Sequence, residues 1–302
     1  SIINPATGKP SYGHIIQTTA AANAFSVLAN TRWNPNFGSM NSGVSDLNSH
    51  YHALQVGLVR RLTSGLQVQF GYTYASCLDI SSGNWGLEGS NRNIDAYNLK
   101  GERGPCGFGV RHNLSTNSVY QLPFKGNRLF EGWQMSGIFY YNNGGPYHVS
   151  SISATGNNVG NGAPRADYVP NAAGCGGDPK IDPYSIVNGG IFAAKPACFA
   201  VPAVGETGNL QRNSLKGPSN FNVNTSVQKS TKLTERFDLQ IRLEGFNVIN
   251  HRNFGNPGVG FSQGAKTSAA AVVSGTPNAT FGQITSIVGS MRQIQLGAKL
   301  TF

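Results

Sequence analysis

A two-residue alternation of apolar and polar side chains recurs along this chain, and it constrains the fold more than any other feature. In LQVQFGYTYA, Leu66, Val68, Phe70, Tyr72 and Tyr74 fall on one side, and Gln67, Gln69, Gly71, Thr73 and Ala75 on the other. A period of two held this long is the signature of a half-buried strand. The preceding HALQVGLVRRL sets Leu54, Val56, Leu58 and Arg60 against Gln55, Gly57 and Val59, and the intervening Thr-Ser-Gly reads as a short hairpin turn. The pattern returns at about 111–122, 132–142, 219–230, 236–248 and 292–302. In the last of these, Ile294, Leu296, Ala298, Leu300 and Phe302 oppose Gln293, Gln295, Gly297, Lys299 and Thr301. Seven strands are therefore expected and no substantial helix. Residues 20–29 suit a helical turn or two, and 13–19 form a candidate eighth strand.

The connections between these segments alternate between short and long. The long ones are 76–109, 143–218 and 249–291. Loops above about 15 residues are uncommon in compact domains and usually carry function. Strict alternation has a simple cause: strands run up and down through a layer that leaves room on one side only. Transmembrane barrels have this form, with short periplasmic turns, long extracellular loops and strands alternating apolar-out and polar-in. A soluble sandwich shows water a face of Lys, Glu and Thr. The polar faces here are rich in Gln, Asn, Ser, Thr and Gly, which suits a wet lumen. Tyr72, Tyr74, Trp133 and Tyr141 fall near strand ends, where an interfacial girdle places aromatic rings. The expected fold is all-β: an antiparallel up-and-down transmembrane β-barrel portion of about seven to eight strands.

Composition agrees. Charged residues make up 12% of the chain and Gly accounts for 39 of 302 residues, the first about half and the second well above the usual share. No run approaches the roughly 18 apolar residues of a spanning helix. The formal charge of +10 raises nucleic-acid binding, but no basic run exceeds Arg60-Arg61 and no nucleic-acid module is recognisable. The same charge suits anionic lipid head groups. SIINPATGKP, residues 1–10, has neither the basic n-region nor the apolar h-region of a signal peptide. The chain is then either cytoplasmic or missing its true beginning.

The ending with Gln295, Gly297, Leu300 and Phe302 resembles the C-terminal assembly signal of bacterial outer-membrane barrels, read by the barrel assembly machinery. YHALQVGLVRRLTSGLQVQFGYTYA, NIDAYNLKGERGPCGFGVRHNLSTNSVYQLPF, GWQMSGIF, GNLQRNSLKGPSNFNVNTSVQKS and RLEGFNVINHRNFGNP resemble the C-terminal barrel region of TonB-dependent receptors. The nearest kind is the Oar-like group with a carboxypeptidase-regulatory-like domain. The resemblance implies a plugged barrel of about 22 strands, of which this chain would be the C-terminal third. Residues 1–50 would be a truncated extracellular loop segment and 51–302 an incomplete single barrel domain. It further implies a bacterial outer-membrane location, contact with outer-membrane lipid and lipopolysaccharide, and coupling to the TonB complex through an N-terminal plug absent from this chain.

Cys77 and Cys106 fall in one long loop, Cys175 and Cys198 in the next. Loop disulfides suit export through an oxidising periplasm. Of the three connectivities, pairing within each loop is expected, 77 with 106 and 175 with 198. No CxxC spacing points to zinc. His50, His52, His112 and His251 lack metal-binding spacing, although His50 and His52 share a strand face. Asp178 and Asp182 in GGDPKIDP read as turn residues rather than a calcium loop. Glu102 and Asp95 are expected to balance Arg103 and Arg111, and the resemblance makes the ERGP…VRH block a barrel-lining element. With no GxSxG and no P-loop, neither an enzyme nor a cofactor is expected.

The leading expectation is nutrient uptake, with the long loops binding or gating an unknown extracellular ligand, a carbohydrate or a chelated metal. The alternative is a non-transporting adhesion or envelope-organising protein. A soluble lectin-like β-domain would have to find a core for seven apolar strand faces.

Overall fold

The computed structural model describes residues 2–3, 10–11, 47–82, 99–151, 165–179, 186–187, 190–191, 194–202, 208–263, 275–277 and 280–302. The candidate strand at 13–19, the candidate helical turns at 20–29 and nearly all of segment 1–50 lie outside them.

Seven strands form one antiparallel sheet: β1 Ser49–Thr63, β2 Leu66–Asp79, β3 His112–Gln121, β4 Trp133–Asn142, β5 Asn220–Lys232, β6 Asp238–Phe246 and β7 Gln293–Thr301. Each pairs with its neighbours in chain order, so the sheet is an up-and-down meander. Among the described residues, β1 and β7 are its two edges. The β1–β2 turn is Ser64-Gly65, with φ of 52° and 79°. Positive φ at both central residues matches the right-handed twist of a two-residue hairpin. A Cβ on Gly65 would come within 2.6 Å of the Gln121 carbonyl oxygen. That close approach lets the Gln121 amide donate to the Gly65 oxygen at 2.7 Å.

Register places all seven apolar alternations on the same face. Leu58 opposes Phe70, which opposes Thr116, which opposes Phe139. Phe139 opposes Val223, Val227 opposes Leu243, and Leu243 opposes Leu296. The opposite face is polar. Thr73 meets Asn113, Asn113 meets Asn142, Asn142 meets Asn220, Gln134 meets Gln228, and Glu244 meets Gln295.

Among the described residues, no other part of the protein covers the apolar face. Leu54, Leu58, Ile294, Leu296 and Leu300 are each half-exposed or more, and Leu296 reaches 73%. Burying one such side chain is worth about 1.5–3 kcal/mol, so the face is stable only against lipid. On β4, Tyr141 opposes Phe221 at one end of this face and Trp133 opposes Lys229 at the other. Eight strand residues separate the two, about 27 Å at roughly 3.4 Å per residue. That matches an apolar band of about 25 Å between two aromatic girdles.

The two ends of the sheet differ. One carries the turns 64–65, 122–132 and 233–237. The other carries every long connection, and the described parts of these fold into a cap. The core of the molecule sits there: Tyr147, Val149, Ala166, Ala194, Phe199, Leu210, Leu215 and Phe281 cluster with Cys175 and Cys198. Within the seven strands only Ala75 and Asp79, at the cap end of β2, are buried.

Candidate functional site

The cap begins where β2 ends. Gly104-Pro105 folds back to pair with Leu78 and Asp79, and a Cys77–Cys106 disulfide fastens the return. Asp79 and Cys77 continue the polar face of β2, so the cap closes over the polar side of the sheet rather than the apolar one.

Two arginines stitch the loops together. Arg212, from the 143–219 connection, reaches into the 80–111 connection and forms an ion pair with Asp79. It also donates to the Asp79 carbonyl at 2.9 Å, the Glu102 carbonyl at 2.9 Å and Ser82 Oγ at 3.0 Å. Burial lowers the guanidinium's pKa from its ordinary value. Arg165 pairs with Glu102 at 2.9 Å, with both side chains almost fully buried, and donates to the carbonyls of Leu210 and Gly101. Asn213 completes the seam. Its Nδ2 donates to the Pro105 carbonyl at 2.9 Å, and its Oδ1 lies 2.9 Å from His148 Nδ1. Planar multi-donor forks suit this work, since each satisfies several buried oxygens at once.

Glu102 therefore does not balance Arg103 or Arg111. Its buried partner is Arg165, and Arg103 lies 3.2 Å from His50 Nδ1. Asp95 lies outside the described residues. The ERGP…VRH block is not one barrel-lining element either. Glu102 to Pro105 belong to the cap, and His112 sits on the apolar face between Tyr72 and Tyr74. Close backbone packing explains the split: a Cβ on Gly104 would collide with the Arg212 carbonyl.

The third connection docks through asparagines. Asn247 is 1% exposed with φ of 48°. Its amide donates to Asn224 Oδ1, and its Nδ2 donates to the carbonyls of His251 and Ser290. Asn253 exchanges two 2.9 Å bonds with the backbone of Phe221, whose ring lies 3.8 Å from that of His251. Phe281 from the same connection packs on Phe199, with ring centroids 5.8 Å apart. All three long connections thus share one body. Tyr147 is buried within it, and its phenol pKa is pushed up to about 12 by desolvation.

Below the cap the polar face is lined mostly by amides and hydroxyls, with Tyr140 and Ile138 interleaved on β4. Asn142, Asn220, Asn222 and Asn224 lie nearest it, followed by Ser136 and Ser226, whose hydroxyls are 2.7 Å apart. From Gln67 to Ala75, Asn113 to Gln121, Gln134 to Asn142 and Asn220 to Ser230, this face carries no charged side chain. Charges enter on β6, where Arg242 pairs with Glu244 at 3.2 Å.

The remaining expected residues fall as follows. Cys175 is bonded to Cys198. Tyr72, Tyr74 and Tyr141 lie at the cap end of the apolar face and Trp133 at the turn end. Gln295 opposes Glu244, Gly297 opposes Arg242, Leu300 opposes Leu239, and the Phe302 ring is 6.3 Å from that of Phe237. Among the described residues, no three His, Cys, Asp or Glu side chains are grouped to hold a metal. Asp182 lies outside them.

Sequence reading missed Arg165, Arg212, Asn213, Asn247 and Asn253 as organising residues. Asn213, Asn247 and Asn250 all adopt positive φ, a conformation Asn tolerates better than most residues. The abundance of Asn in loops was the available signal.

The family model described as "Outer membrane beta barrel domain" matches residues 2–295, and the chain belongs to that family. It is an outer-membrane β-barrel protein. No curated protein matches the chain.

Proposed function

We propose that this outer-membrane barrel is the C-terminal part of a TonB-dependent receptor that takes up a scarce nutrient and performs no covalent chemistry. The carrying observation is the cap. The described parts of all three long connections merge into one body with its own core, set over the polar face. A cap with its own core above an amide-rich wall is the form a gate or ligand platform takes. The lining favours a neutral, hydroxyl-rich solute such as a carbohydrate. Amides and hydroxyls supply donors and acceptors for sugar hydroxyls, whereas an anionic metal chelate calls for Arg or Lys.

The test uses the full-length receptor in its own cells. Saturable uptake of a labelled oligosaccharide, lost on deletion of TonB and weakened by Arg212→Ala, is the expected result. Deletion that abolishes adhesion or motility and leaves growth on every nutrient unchanged would replace transport with the envelope-organising role.

A further inference from the structure

The turn end of the sheet carries an element that neither the cap nor transport uses. Of its three connections, 122–132 is the longest, and it is internally hydrogen-bonded. The Phe130 and Glu131 amides donate to the Asn127 carbonyl, at 2.9 and 3.0 Å. The Leu129 amide donates to Asn127 Oδ1 at 2.9 Å, and the Gly126 amide to Glu131 Oε1 at 2.6 Å.

The turn is also fastened to the apolar face. Trp133 Nε1 donates to the Leu129 carbonyl at 2.9 Å. Lys229 Nζ donates to the carbonyls of Arg128 and Glu131, at 2.7 and 2.9 Å, and lies 5.3 Å from the centre of the Trp133 ring. Trp133 and Lys229 oppose each other in the sheet register on that face.

This hydrogen-bonded turn presents an unusual combination to its surroundings. Leu129 is 69% exposed and Phe130 60%. The side chains of Lys125 and Arg128 are exposed beside them. Large apolar groups on an ordered, hydrogen-bonded turn are unfavourable in water and favourable at the boundary between acyl chains and head groups. The turn lies at the end of the apolar band, so its patch is continuous with the surface that faces lipid. Cations at that depth meet phosphates.

We propose that the Lys125–Glu131 turn is a binding site for an anionic glycerophospholipid of the periplasmic leaflet. Lys125 and Arg128 face the net negative charge of the head group, and Leu129 and Phe130 anchor among the acyl chains. The periplasmic placement follows from the short connections at this end and is independent of the transport reading. A protein partner here would have to displace lipid from the apolar band, so charge complementarity and position both favour the lipid.

The test is native mass spectrometry of the protein purified from outer membranes. It is titrated with phosphatidylglycerol or with phosphatidylcholine of the same acyl chains. Wild type is expected to retain phosphatidylglycerol preferentially, and rising salt to erase the preference. Lys125→Gln with Arg128→Gln is expected to lower phosphatidylglycerol retention about fivefold per cation, the size of one basic residue's attraction to an anionic surface. Retention of phosphatidylcholine stays unchanged. The turn survives this change, because Arg128 holds Lys229 through its backbone oxygen. Equal retention of both lipids by wild type would overturn the proposal, as would preferential retention of soluble peptidoglycan fragments. So would an equal loss from Lys100→Gln with Arg103→Gln in the cap, which would make the attraction one of net charge alone.

Discussion

The sheet and the cap of this molecule are held together by different physics. The sheet has a continuous apolar face and almost nothing buried in protein. Its cohesion comes from ladder hydrogen bonds, and its hydrophobic partner is the bilayer, where every backbone polar group must be satisfied internally. The cap is organised like a small soluble domain, with a packed core, two disulfides and two ion pairs shielded from water. The lesson is that one chain can use lipid as the core of one region and itself as the core of the next. Perturbations should therefore separate the two.

The largest separation is expected from Arg212→Ala. It removes donors to Asp79, Glu102 and Ser82 and leaves a buried carboxylate unpaired, a loss of about 3–5 kcal/mol. Amide exchange should speed up through 99–111 and 208–217 and leave β3 to β5 protected. Equal loss of protection in the sheet would show that the two regions fold as one.

Leu296→Arg tests the other side of the comparison. A cation on the lipid face near mid-bilayer costs about 2–4 kcal/mol, whereas Gln295→Arg on the polar face costs far less. Denaturant titration in bilayers should rank the two. Equal effects would mean the faces are not divided between lipid and water.

Replacing Cys175 and Cys198 with Ser should destabilise the cap by about 3 kcal/mol on the loop-entropy model, with the sheet unaffected. Limited proteolysis between residues 165 and 202 reports it. A cleavage pattern identical to wild type would show that the core of Tyr147, Phe199 and Phe281 holds the cap without that bond.

The smallest effect is a pH dependence confined to the cap. The Tyr147 pKa is raised to about 12 in the folded state from its ordinary 10.0. The stability this represents is fully present below about pH 10 and is lost as pH rises through the folded value. Protection of the cap amides relative to the intrinsic base-catalysed exchange rate should fall over that interval in wild type and not in Tyr147→Phe. If Tyr147→Phe shows the same fall in protection, another group is responsible.

The sheet was largely legible because its pattern is local and repeats. Expected strands at 66–75, 132–142 and 292–302 became Leu66–Asp79, Trp133–Asn142 and Gln293–Thr301. The faces followed, since parity alone sets which side a strand residue occupies. The disulfide pairing was readable from which loop each cysteine occupies. The ion pairs were not. Glu102 and Arg165 are 63 positions apart, Asp79 and Arg212 are 133 apart, and both arginines lie in long connections with no period to align them with their carboxylates. The nearest opposite charge in sequence, Arg103, is the wrong partner.

The sequence by itself determined that this chain makes two-faced antiparallel strands with room at one end, because a two-residue period and alternating connection lengths act within a few residues. Only the tertiary structure decided that the loops become one body over the polar face, and which arginine meets which carboxylate. Those contacts join residues far apart in the chain, and they exist only after register has brought the strand ends together and packing has excluded water between the loops.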